Sequence, residues 1–336
     1  MVQNDSNTQD HTSSILALPP EVMGTIFEQF LPQYPEFPSS LHVSSPLFLA
    51  RICRRWRQIA LSTPTLWCAI SVDIHNSRIE MMEWKLELLK EWLVRSVDCP
   101  LSLRLSCHPR IWSRPHPIVA HFLRTAVLHC TRWEYVHLLM PSKVLYEIKG
   151  DMPMLKQLTF GPCDCPSEDL QPLTLFDCAP QLATLVLLIL FSPAVMHLPW
   201  AQITHLEGRH LYEHEGLDIL VQTPRLIRCI LSLLSHPSPS PPLSPVSLPH
   251  LRYLVLRNDL QANGDLAMIL DNLTAPALRT LRVTEPCLES PIPTLQAFLS
   301  RSRCTLENLW VDRAAIPIAE YRQALPSVIE IVSDSS

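Results

Sequence analysis

Four short stretches hold residue types that could do chemistry. "HLYEH", His210 to His214, fits the H-x-x-E-H spacing. On a helix its two histidines would share one face and could bind zinc, with Glu213 as general base. "CDC", Cys163 to Cys165, offers two thiols but no second pair at ligand spacing, and Pro162 and Pro166 around it mark a turn. Ser238, Ser240 and Ser244 each precede a proline, a pattern open to proline-directed phosphorylation or to a proline-reading domain. "ARICRRWRQIALSTPTLW", residues 50 to 67, places four arginines and two tryptophans close together and could grip an anion.

Each chemical reading meets a counter-argument in the same chain. "HLYEH" lies between two repeat units, where a surface turn is expected. Phosphate-cradling loops need closely spaced glycines, and the chain has only 6, against 32 prolines. Nucleic-acid binding needs a basic surface, yet the net charge is −5. Residues 1–70 contain no lysine at all, and their acids Asp5, Asp10, Glu21, Glu28 and Glu36 outnumber the arginines. No Ser/His/Asp or Cys/His set assembles from spacing. We therefore expect a non-enzymatic protein, with no catalytic residue, metal or cofactor, and no nucleic-acid partner.

The elements that carry these residues fall into two regions. A polar stretch, residues 1–14, comes first and is expected to be disordered. Residues 15–70 read as helical. Pro19 and Pro20 open a helix, where the missing N–H costs nothing. Val22, Met23, Ile26, Phe27, Phe30 and Leu31 then make one broad apolar face until Pro32. Gly24 is a weak spot in it. A proline- and serine-rich loop follows, and Ser45 and Pro46 begin a second helix. At 100° per residue, Phe48, Leu49, Ile52, Cys53, Trp56, Ile59 and Ala60 form one arc, with Arg51, Arg54 and Arg55 opposite and Arg57 on a flank. The arginines thus form a solvated face. Pro64 ends the helix, and Leu66 and Trp67 fold back, Trp67 into the core.

Residues 71–332 repeat. "MPMLKQLTF", "APQLATLVL", "TPRLIRCIL", "LPHLRYLVL", "APALRTLRV" and "CTLENLWV" share the form L-x-x-L/C-x-apolar, and "WAQITHLEG" is a divergent copy. The lead residues Leu155, Leu182, Ile203, Leu226, Leu251, Leu278 and Leu306 are 27, 21, 23, 25, 27 and 28 apart. That is the leucine-rich repeat period of about 20–29 residues. "PLSLRLS" and "RWEYVHLLM" are candidate earlier strands. Return helices are expected in "RIEMMEWKLELLKEWLVRS", "PIVAHFLRTAVLHC", "GLDILVQ", "DLAMILDNL" and "TLQAFLSRS". The fold class expected is α/β: a small helical unit followed by an irregular solenoid of short parallel strands with return helices. Irregularity follows from the turn position, where Cys163 fits the repeat rule and Leu190, Leu234, Asp259, Pro286 and Ala314 do not. A Pro/Ser-rich loop is expected at 235–249, and a short tail at 333–336.

"LPPEVMGTIF" followed by "RICRRWRQIALSTPTLW" resembles the F-box, and the repeats behind it resemble those of F-box proteins with leucine-rich repeats. The proline-rich insert between the helices is similar to a variant found in mushroom-forming fungi. The resemblance implies a substrate receptor of an SCF (cullin–RING) ubiquitin ligase. Its F-box would dock on a Skp-type adaptor, and its repeats would hold an unknown target protein. Matched onto this chain, the adaptor contacts are Leu18, Pro19, Val22, Ile26, Cys53 and Trp56. A second reading keeps an interaction scaffold in which the helical unit only caps the repeats. The scattered cysteines (11 in the chain), the absence of a signal-like start and a longest apolar run of only Leu185 to Phe191 suggest cytosol or nucleus, without a membrane span.

Overall fold

Proline placement and apolar spacing set the first helices. The computed structural model describes residues 18–32, 36–38, 44–74, 78–107, 117–163, 176, 178–188, 197–234, 245–258 and 266–334. Helix α1 (Pro20–Phe30) starts on its proline and ends at the extended Leu31. Its apolar face divides into two stripes. Met23 and Phe27 are buried, while Val22, Ile26 and Phe30 are exposed. Gly24 lies on the buried side, where a β-carbon would meet Thr63 at an ordinary 3.4 Å.

The single second helix expected from the apolar arc is two helices instead. Helix α2 (Pro46–Ile52) is capped by Ser45, whose hydroxyl accepts from the Leu47 N–H at 3.2 Å. At Cys53 the backbone turns extended (φ −154°, ψ 170°), and its Sγ accepts from the Trp56 N–H at 3.4 Å to start α3 (Arg54–Ser62). The break leaves the Ala50 carbonyl without its helical donor, and Arg57 Nε supplies one at 2.8 Å. Arg55 reaches back to the Leu18 carbonyl at 2.7 Å. Two of the four arginines thus tie helices together rather than only facing water.

A 3₁₀ turn, Pro64–Trp67, leads into the sheet. There follow β1 (Ala69–Ile74), α4 (Ile79–Arg95), β2 (Leu101–Cys107), α5 (Ile118–Val127), β3 (Trp133–Met140), α6 (Ser142–Leu145), β4 (Gln157–Pro162) and β5 (Thr184–Leu187). Next come β6 (His205–Tyr212), α7 (Glu213–Gln222), β7 (Arg228–Leu234), β8 (Val246–Ser247), β9 (Tyr253–Arg257), α8 (Ala267–Asn272) and β10 (Leu273–Thr274). The chain closes with β11 (Thr280–Thr284), α9 (Pro291–Ser302), β12 (Asn308–Asp312), α10 (Ile318–Ala324) and β13 (Glu330–Asp334).

Eleven of these strands form one parallel sheet, each beside the next in chain order, with β7 passing directly to β9 and β9 to β11. Short β8 and β10 pair separately. Helices lie side by side along the sheet, α4 on α5 and α7 on α8 on α9 on α10. This is an α/β solenoid-like architecture with an extended parallel sheet and interspersed helices.

The core is a set of aligned rows. One runs in register from Ile70 in β1 through Leu103, Leu158, Cys229 and Leu281 to Ile331 in β13. Its members are almost fully buried. The seven lead residues, Leu155 to Leu306, are all no more than 2% exposed, which places the repeat motif inside. A second row is interrupted by Gly208, where the space is taken by Leu211 from beyond a bulge in β6. The two candidate early strands are β2 and β3, and each expected return segment is helical. Strands β1 and β13 extend the array beyond the motif at both ends. Strand β13 runs through Asp334, and Val246 to Leu248 are structured inside the segment expected as a loop, whose residues 235–244 lie outside the described set.

Leu254, wholly buried in the middle of the first row, should be among the costliest positions to truncate. We expect Leu254→Ala to lower the unfolding free energy by about 2–5 kcal/mol, read from urea denaturation followed by circular dichroism.

Candidate functional site

The H-x-x-E-H motif is not assembled into a metal site by this fold. His210 ends a bulge in β6 with φ 55°, whereas Glu213 and His214 begin α7. Strand and helix therefore divide "HLYEH", and the one-helix face that zinc ligation requires does not form. The segment is not a surface turn either, since Glu213 is buried and Glu215 Oε2 accepts from the Tyr212 N–H at 3.0 Å. Among the described residues no three His, Cys, Asp or Glu side chains are grouped to hold a metal. Cys163 follows β4, but Cys165, Ser238, Ser240 and Ser244 lie outside the described residues.

Two surfaces stand out, and the first is on the helical unit. Val22, Ile26 and Phe30 follow one another at i, i+4 and i+8 along α1, and Phe48 and Ile52 continue the patch on α2. All five are 40–50% exposed. Phe30 and Phe48 stack at 6.3 Å and join the two helices into one apolar face. Scattered exposed apolar residues are ordinary, but a contiguous helical set is an interaction signature.

The resemblance residues divide between this face and its support. Val22 and Ile26 are on it. Pro19 is exposed at the start of α1, and half-buried Leu18 is fixed through its carbonyl by Arg55. Half-buried Cys53 caps α3, and half-buried Trp56 lies 4.8 Å from the buried Phe27 ring. Phe30, Phe48 and Ile52 complete the patch and were not among the sequence candidates. Their periodicity was visible, but not the direction in which they face.

Behind the face, Trp67 locks the helical unit to the sheet. It is 1% exposed, donates from Nε1 to the Ala60 carbonyl at 2.8 Å, and meets Trp92 of α4 edge-on at 4.8 Å. Trp92 in turn donates to the carbonyl of Ala69 in β1. Thr65 also donates to Glu28, joining the turn to α1.

The second surface is the sheet face away from the core rows. Its central row runs in register from Ser71, Arg104 and His137 through Val186 and Ile230 to Arg282, Trp310 and Val332. These positions are half-buried, apart from buried Val255 in β9 and Trp310, which is 39% exposed. Polar and cationic groups occupy the β1–β3 end, Thr159 and Glu207 alternate with Val186 and Ile230 in the middle, and Arg–aromatic pairs mark the far end. Arg228 lies 4.0 Å from the Tyr253 ring centroid, and Arg282 lies 6.0 Å from that of Trp310. All-parallel sheets ordinarily have both faces covered. Here the outward row accepts polar residues because it meets water or a partner.

The fold thus has the α/β solenoid-like architecture of a repeat protein, with an extended parallel sheet and interspersed helices. No protein-family model matches the chain, and no curated protein matches it. Among the described residues no helix is long and apolar enough to cross a membrane.

His137 gives the open face a pH signature. Burial, reinforced by Arg104 and Arg209, pulls its imidazole down from the ordinary 6.5 to about 4. The folded state resists a proton that the unfolded chain accepts, so stability is full above pH 6.5 and falls as pH drops toward 4. With partial solvent screening the loss is on the order of 1–2 kcal/mol. Urea midpoints at pH 7 and pH 4.5 should separate widely for the natural chain and less for His137→Gln.

Proposed function

We propose that this protein is a substrate-recognition subunit of an SCF-type (cullin–RING) ubiquitin ligase. Its helical unit serves as the F-box on a Skp-type adaptor, and its leucine-rich-repeat sheet holds the target protein. The observation that carries the reading is the apolar face of Val22, Ile26, Phe30, Phe48 and Ile52, five exposed residues on two helices joined by the Phe30–Phe48 stack. Helix-in-groove and helix-pair docking uses this spacing, with aromatic anchors at the centre. Gly24 does not interrupt it, because it lies on the buried side of α1. The chemistry would reside in the partner enzymes, and this chain would contribute no catalytic residue.

The scaffold reading, in which the unit only caps the repeats, draws on the Trp67–Trp92 contact. That contact seals the β1 end of the array as a cap would. It does not account for an apolar patch facing outward.

Co-purification with a Skp-type adaptor discriminates between the two. Val22→Asp with Ile26→Asp alters only exposed positions and should leave the fold intact while weakening capture by at least about 30-fold, the loss of a hot-spot pair. Leu18→Ala with Pro19→Ala and Trp56→Ala should weaken it too. If the intact folded chain captures no adaptor, the ligase reading fails and the cap reading stands.

A further inference from the structure

The joint between the helical unit and the sheet holds two thiols. Cys68 ends the Pro64–Trp67 turn, immediately before β1, and its carbonyl accepts from the Ser102 N–H of β2 at 2.8 Å. Cys99 lies in the turn between α4 and β2. Its N–H donates to the Ser96 carbonyl at 3.0 Å, and its own carbonyl accepts from Arg132 Nη1 at 3.1 Å. The same Nη1 donates to Ser96 Oγ at 3.1 Å, so the turn is pinned from β3's side of the sheet. Parallel pairing of Ala69 with Ser102 brings the two segments side by side, and the Cys68 and Cys99 side chains are in hydrogen-bonding contact. Both cysteines are free and half-buried. Cys68 also lines a cavity of about 260 Å³ with Glu28, Leu31, Pro38 and Thr65, which leaves room beside it for a small solute.

We propose that Cys68 and Cys99 form a modification site at which a peroxide closes a disulfide, fastening the last turn of the helical unit to the first repeat of the sheet. Two thiols already in contact need little backbone movement to be bridged. Backbone hydrogen bonds fix both segments, so the thiols meet at high effective concentration. Burial, and after it the neighbouring Cys99, push the Cys68 thiol up to about 12. Cys68 therefore stays protonated, and the first attack falls to Cys99. The Cys99 thiolate attacks one peroxide oxygen, the O–O bond breaks, and the other oxygen leaves as hydroxide and takes a proton to become water. Cys99 is now a sulfenic acid. The Cys68 sulfur attacks the Cys99 sulfur, the S–O bond breaks, and the Cys68 proton leaves with the hydroxyl as a second water. Two thiols are oxidised and one peroxide is reduced. A pair with no stabilised thiolate gives its reduced form no advantage, so the bond forms slowly and then resists reduction. Neither adaptor nor target takes part, so the site stands apart from the ligase reading.

The test treats the folded full chain with hydrogen peroxide, blocks the remaining thiols by alkylation, and maps unreduced peptides by mass spectrometry. The expected main product joins Cys68 to Cys99, with alkylation lost at both positions and restored by dithiothreitol. Closing residues 68 to 99 into a ring restricts the unfolded chain, so the oxidised protein should unfold at a higher urea midpoint than the reduced one. Cys99→Ser should abolish the cross-link and the midpoint rise, and leave Cys68 open to alkylation. Absence of the 68–99 cross-link, a larger amount of any other cross-link, or sulfinic acid at Cys99 beside a free Cys68 overturns the proposal. An unchanged midpoint in the cross-linked chain overturns the fastening of the joint. Should Cys99→Ser not fold by circular dichroism, the peptide map of the natural chain and its reversal by dithiothreitol decide.

Discussion

Strand-to-strand alignment of apolar side chains is the constraint on which this molecule depends. The row from Ile70 to Ile331 places a buried residue of each strand beside its counterparts on the neighbouring strands. A strand slipping by one residue would turn its whole inner set outward. Alignment therefore fixes the outward rows as firmly as the inner ones. The relative placement of Arg282, Trp310 and Asp312 follows from leucines on the other side of the same strands.

Connections, by contrast, are loosely specified, and each is stabilised in its own way. After β11 the turn uses Glu285, only 4% exposed. Its Oε1 accepts from the Ala315 and Ile316 N–H groups at 2.8 and 3.1 Å, and Oε2 accepts from Tyr321 at 2.6 Å. A buried carboxylate in this position gives the freed backbone donors of the next unit a partner, as buried polar groups require. It does so without the asparagine or cysteine that a regular repeat would place there. Burial and the adjoining carboxylate both push the Tyr321 phenol well above its ordinary range, keeping it a donor. The repeats can thus diverge in their turns while the sheet stays continuous.

What was legible in the sequence follows from this division. The L-x-x-L spacing reports the inner rows directly, so the interior repeats and their helices could be read from it. Strand β1 ("AISVDI") and β13 ("EIVSD") carry no leucine and escape that pattern, although they fill the same rows. The break at Cys53 was hidden because apolar spacing at helical period does not register a single extended residue, while a thiol cap leaves little trace in composition. Likewise α1 has apolar residues on both stripes, and only packing shows that Met23 and Phe27 turn inward while Val22 and Ile26 do not. "HLYEH" misled for a related reason, because its spacing assumes one element and the chain changes element inside it.

Neighbour-only pairing also bears on how the chain is made. Each strand finds its partner within one repeat of sequence, and the helical unit with its Trp67 anchor is synthesised before the strand it abuts. A nascent chain can therefore settle each unit onto a finished edge as it leaves the ribosome, with no need to wait for distant residues. Growth in that order leaves a single exposed β-edge advancing toward β13. The most vulnerable stage of synthesis is then short, local and always at the newest unit.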